Sequence, residues 1–136
     1  MAYLVDTNVI SELVRPRPDR HLLAWAERLD RVVLSAISIE ELTFGVARAA
    51  GARRSALGRW LDAVLASAEV LAVTAEIART AGQLRAARET RGRRVAQADM
   101  LIAATALNAG LTLATRNLRD FDGTGVRIVD PFAAPE

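Results

Sequence analysis

Apolar residues follow two rhythms along this chain, short unbroken runs and longer helical stripes, and the two alternate almost from end to end. Tyr3 to Val5 predicts a buried strand. The pattern then turns helical over Val9 to Leu13, with Ile10, Leu13 and Val14 at helical spacing. Arg15-Pro16-Arg17-Pro18 predicts a helix stop and a rigid corner. A second helix starts near Asp19 and carries Leu22, Leu23, Trp25, Ala26 and Leu29, and a second strand follows over Arg31 to Ala36. Ser38 opens a helix to about Ala50, which Gly51 ends.

Ala56 to Ala68 sets Leu57, Trp60, Leu61, Val64 and Leu65 on one stripe. Val70 to Val73 reads as a third strand. Thr74 caps a helix to about Thr90, with Ile77, Ala81 and Leu84 inward and Arg79, Arg85 and Arg88 on its polar side. Arg91-Gly92-Arg93-Arg94 is a basic loop. Ala96 to Ala109 is apolar nearly all round and so belongs at the centre, closed by Gly110. Leu111 to Thr115 and Val126 to Val129 supply a fourth and a fifth strand. Strands separated by helices predict an α/β fold, a three-layer α/β/α sandwich on a mainly parallel sheet of four to five strands. No repeat or linker divides the chain, which reads as a single domain, 1–136.

Composition narrows the classes of protein this can be. A length of 136 residues with 51% hydrophobic and 25% charged content suits a soluble globular domain with a real core. There is no cysteine, which removes disulfides and thiolate chemistry and fits a reducing cytoplasm. Asp6 interrupts the first apolar stretch before a signal sequence can form. The charge-free run Met100 to Thr115 is shorter than the roughly 18 apolar residues a membrane span needs. The net charge is only +2, yet the isoelectric point is about 10.3, because all 18 cationic residues are arginine. Arginine forks pair with phosphates, although a GC-rich genome is the better explanation of the count.

Four acids carry the candidate chemistry. Asp6 ends the first strand, where open α/β sheets form their ligand crevice. Glu41, Asp99 and an acid of the Asn117 to Asp120 turn fall close after strands or near helix starts, positions that parallel strands bring to one edge. Each also has a structural explanation. Asp6 suits a helix N-cap, and Ser38-Ile39-Glu40-Glu41 suits a capping box. Asp99 suits a first-turn acid, and Asp120 an ordinary turn residue. Asp99 strains that explanation most, as the only charged residue between Arg94 and Arg116 in the most apolar helix. A lone buried carboxylate costs several kcal/mol, of order, unless it is paired or bound to a cation.

Clustered carboxylates repel, and a hard divalent cation with oxygen ligands, Mg²⁺ or Mn²⁺, compensates them. Zinc is disfavoured, since there is no cysteine and His21 is the only histidine. Such an ion near a phosphodiester polarises a phosphoryl oxygen and activates water. Thr7, Asn8, Thr115 and Asn117 have the side chains to position water or a phosphate oxygen, and Arg116 to contact the backbone or stabilise charge.

The same residues carry a family resemblance. Leu4-Val5-Asp6-Thr7-Asn8-Val9-Ile10-Ser11-Glu12-Leu13 resembles the opening of PIN-domain proteins, specifically the VapC/FitB-like toxins of bacterial toxin–antitoxin pairs. Ser35 to Leu42 with Gly45 resembles their second block, which selects Glu41 over Glu40. Ala98 to Ala106 resembles the third, and Thr115 to Phe121 the fourth. The resemblance implies an Mg²⁺-dependent endoribonuclease acting on RNA, usually a homodimer, blocked by a cognate antitoxin. Asp6 and Asp99 would be the principal metal ligands, with Glu41 beside them. Some relatives have Asp where this chain has Asn117, so Asp120 or Asp122 must supply the fourth acid. Two rivals are a non-catalytic PIN-type module binding RNA or protein, and a phosphohydrolase using Asp6 as nucleophile. The second lacks both a second acid at Asn8 and any lysine. Trp25, Trp60 and Phe44 are either interface anchors or core.

Overall fold

The computed structural model describes residues 2–133; Met1 and residues 134–136, which the sequence reading assigns to the same domain, lie outside the described residues. The elements run β1 (Tyr3–Val5), α1 (Thr7–Leu13), α2 (Arg20–Glu27), β2 (Val33–Ser35), α3 (Ala36–Arg48), α4 (Gly51–Ser67), β3 (Glu69–Leu71), α5 (Ala75–Thr90), α6 (Gln97–Ala109), β4 (Thr112–Ala114), α7 (Leu118–Phe121) and β5 (Ile128–Val129).

Successive side chains of a strand point to opposite faces. Leu4, Val33 and Leu113 therefore enter one core, with Ile77 and Ala81 of α5 and Met100, Ile102 and Ala103 of α6. Val5 and Leu34, their neighbours in sequence, enter a second core with Val9 and Ile10 of α1, Leu22 of α2, Leu42 of α3 and Leu61 of α4. Both faces of the sheet are covered, which is why its central strands read as unbroken apolar runs. The result is the expected three-layer α/β/α sandwich.

All strand pairings are parallel, in the order β3-β2-β1-β4-β5. The chain lays β2 and β3 to one side of β1, then returns to lay β4 and β5 on the other. A crevice opens at such a reversal, beyond the C-terminal ends of the strands. Asp6 follows β1 and Thr115 follows β4, and the Asp6 amide donates to the Ala114 carbonyl at 2.9 Å, tying the two strand ends together.

Several boundaries differ from those the pattern predicts. Helix α1 begins at Thr7 and not at Val9, because Asp6 caps it. Strand β2 ends at Ser35, whose hydroxyl accepts from the Ile37 amide at 3.1 Å and starts α3 two residues before Ser38. Gly51, at φ 59°, opens α4 where the pattern has it closing α3. Strand β3 lies at 69–71. The turn before Phe121 holds a short helix, α7. Arg88, expected on the polar side of α5, is 3% exposed. Among the described residues no helix is long and apolar enough to cross a membrane.

Candidate active site

Asp6 is 4% exposed, and its carboxylate is fixed by three donors. Oδ1 accepts from the Thr7 amide at 2.8 Å. Oδ2 accepts from the Thr115 hydroxyl at 2.7 Å and from Asn8 Nδ2 at 3.3 Å. Asp6 is thus a cap as well as a site residue. Asn8 reaches further: its Oδ1 accepts from the Arg116 amide at 3.3 Å, so it bridges the ends of β1 and β4. The Thr115 oxygen also accepts from the Asn117 amide at 3.0 Å.

Glu41 is a mid-helix residue of α3, so the capping-box explanation fails for it. The Thr7 hydroxyl donates to Glu41 Oε1 at 2.7 Å. That uses its single proton, since a carboxylate only accepts. The buried Ser38 hydroxyl, 2.8 Å from Thr7 Oγ1, is therefore the donor in the remaining bond. Thr7 thus links the Asp6 carboxylate, through its amide, to the Glu41 carboxylate, through its hydroxyl, and Ser38, read from sequence as a cap, fixes the Thr7 hydroxyl from α3. No sequence signal marked it, because its spacing to Glu41 also fits a cap.

Asp99 lies in the first turn of α6, whose N-cap is Ala96, and makes no cap bond. Burial raises its pKa from 3.8 to about 6, and the neighbouring charges of Asp6, Asp120 and Glu41 push in the same direction. Asp6 is also raised, chiefly by burial, against the hydrogen bonds from Thr115 and Thr7, with Glu41 and Asp120 adding repulsion. The structure therefore brings the four acids within electrostatic reach of one another. Asp120 acts by its charge from the exposed side of α7 and does not line the cavity that holds the other three. Asp122, the C-cap of α7, is exposed and does not act on Asp6 or Asp99.

A cavity of about 590 Å³ is lined by Asp6, Thr7, Asn8, Glu41, Asp99 and Asn117, together with Glu12, Arg15 and Arg53. Sequence reasoning missed Arg15 and Arg53: the first lay in the Pro-rich corner, the second before the predicted start of α4. Arg116 departs from its expected place. Its guanidinium sits over the Phe132 ring, 4.0 Å from the centroid, and does not line the acid cavity. Among the described residues no three acid or imidazole side chains meet closely enough to enclose an ion. The donors suit an ion that is not enclosed. Mg²⁺ keeps several waters and is bound through one or two carboxylates. Asp6 and Asp99, raised together with no cation among the causes, are the pair such an ion would compensate.

A family model described as the PIN domain matches residues 3–126. VapC ribonuclease Y4jK of Sinorhizobium fredii is 38% identical over 135 residues, spanning 95% of this chain and 96% of its own. Toxin FitB of Neisseria gonorrhoeae is 37% identical over 135 residues, 95% and 97% of the two chains. The crystal structure of FitAcB from Neisseria gonorrhoeae superposes with a TM-score of 0.91 at 35% identity, over 98% of this chain and 100% of that one. The chain belongs to the PIN-domain family, among its VapC and FitB members.

Proposed function

We propose that this protein is a divalent-metal-dependent endoribonuclease, the toxin of a toxin–antitoxin pair, which works as a homodimer and is silenced by a cognate antitoxin. One observation carries the reading: Asp6, Glu41 and Asp99 line a single cavity at the switch point of a parallel sheet, where burial and then the charges of Asp6, Asp120 and Glu41 raise the Asp99 carboxyl. Carboxylates left uncompensated in a crevice mark a site built for a positive charge. Relatives named as a ribonuclease and a toxin support the substrate class and the biological role.

Asp6 and Asp99 would hold Mg²⁺, with Glu41 alongside; when bound, the ion supplies Lewis acidity at a phosphoryl oxygen and lowers the pKa of a water. The chain's own residues set the geometry. Thr7, Asn8 and Thr115 keep the Asp6 carboxylate from rotating. Thr7, with Ser38 behind it, orients Glu41, leaving one of its oxygens free of that bond. Asn117, at the cavity wall, presents an amide to water or to a phosphate oxygen. Arg15 and Arg53, which line the same cavity, suit the phosphodiester backbone beside the reacting group.

In-line attack by water expels the 3′-oxygen, so products carry 5′-phosphate and 3′-hydroxyl ends. Incubating the purified chain with RNA and Mg²⁺, then mapping the ends, tests this. Ends of the 2′,3′-cyclic phosphate type would show that the 2′-hydroxyl is the nucleophile and would overturn the mechanism.

A further inference from the structure

Arg88 of α5 is buried to 3% exposure, yet among the described residues no carboxylate forms a salt bridge with it. Its Nη2 donates to the carbonyls of Arg119 and Asp120, 3.4 Å away in each case. Its Nε is buried with no partner at all. A buried charge with so few partners is costly, and replacing such a group by an apolar side chain of similar volume is often neutral or stabilising. The two carbonyls it meets belong to α7. That helix is four residues long, its N-cap makes no side-chain bond, and its C-terminal carbonyls need outside donors. Arg93 adds a second guanidinium to the Arg119 carbonyl at 3.0 Å. Gly123 leaves the space: a Cβ there would lie 3.2 Å from Arg88 Nη1.

We infer that Arg88 is a positioning residue, which grips α7 by its backbone and thereby keeps Asp120 at the acid edge beside Asp6 and Asp99. Asp120 is exposed, and among the described residues no side-chain hydrogen bond orients it, so its place depends on where α7 sits. The link to metal binding rests on the proposed function; the grip on α7 does not.

The test uses the full chain with Arg88→Met, which keeps length and apolar bulk but removes the donors, and Arg88→Lys, which keeps one donor group and the charge. Amide hydrogen exchange over residues 117–121 reads the grip, and Mn²⁺ affinity by paramagnetic resonance reads its consequence. Arg88→Met is expected to speed exchange in α7 and to weaken Mn²⁺ binding about tenfold, the usual effect of losing an outer-shell partner. Its melting temperature in EDTA should be unchanged or raised. Arg88→Lys should restore part of both effects, and it carries the test alone if Arg88→Met does not fold. Wild-type exchange in α7 of the Met variant would overturn the grip. Wild-type Mn²⁺ affinity with fast exchange would overturn the link to Asp120. If the wild-type protein bound no Mn²⁺ and cut no RNA, the proposed function would fail, and the exchange measurement would still decide the role of Arg88.

Discussion

Asp99 and Thr115 separate the two demands placed on the acids, folding and ion binding. The folded chain holds the Asp99 proton up to about pH 6, whereas the unfolded chain releases it near 3.8. Between those values the folded state binds more protons, so stability falls as pH rises through the window. In metal-free buffer the melting temperature should drop from pH 4 to pH 6 in wild type and much less in Asp99→Asn; parallel profiles would contradict this. Thr115→Val removes the shortest bond to the buried Asp6 carboxylate. A hydrogen bond to a charged group is worth about 1.5–3 kcal/mol, and a destabilisation of that size is expected at neutral pH by denaturant unfolding. The Asp6-nucleophile rival wants a second acid two residues on and a lysine, and the chain has Asn8 at that place and no lysine.

Helices and strands were legible where period and length agreed, and less so at their ends. The stripe through Ile77, Ala81 and Leu84 continues by spacing to Arg88, but its charge argued for solvent; a pair of carbonyls on α7 decided otherwise. Ser35 and Ser38 both offer a cap to α3, and only the register of β2 selects Ser35. Ser35→Ala should therefore cost about 1 kcal/mol in denaturant unfolding, the usual loss of an N-cap. Helix α7 is too short for any period to reveal. The same limit hid the site's supporting residues. Asp6, Glu41 and Asp99 stood out as acids after strands or in an apolar helix. The Thr7–Ser38 link and the Arg15–Arg53 wall depend on contacts between distant elements, which no local spacing encodes.

At the scale of the whole molecule, the strand order that buries both faces of the sheet also brings together acids scattered from residue 6 to residue 120. Ion binding to the folded state alone raises its stability, by about 2.7 kcal/mol at a hundredfold excess over Kd. Mg²⁺ should raise the melting temperature of wild type at neutral pH, and that of Asp99→Asn far less. Phe44, 59% exposed and carrying Arg48 over its ring at 5.5 Å, is the one of the three candidate aromatic anchors that stands free of both cores. Trp60 packs against the second core, and Trp25 does so as well while meeting Tyr3 edge to face. Sedimentation at micromolar concentration should give a dimer; a monomer would contradict the proposed assembly.

The central claim, that the acids at this sheet edge cut RNA by holding a divalent ion, is tested most directly by one cleavage assay in three lanes. Purified wild type with Mg²⁺ should cut RNA. Wild type with excess EDTA should leave it intact, and so should Asp99→Asn with Mg²⁺, although the variant is folded. Cleavage by Asp99→Asn at near the wild-type rate, or cleavage by wild type undiminished in EDTA, would contradict the account.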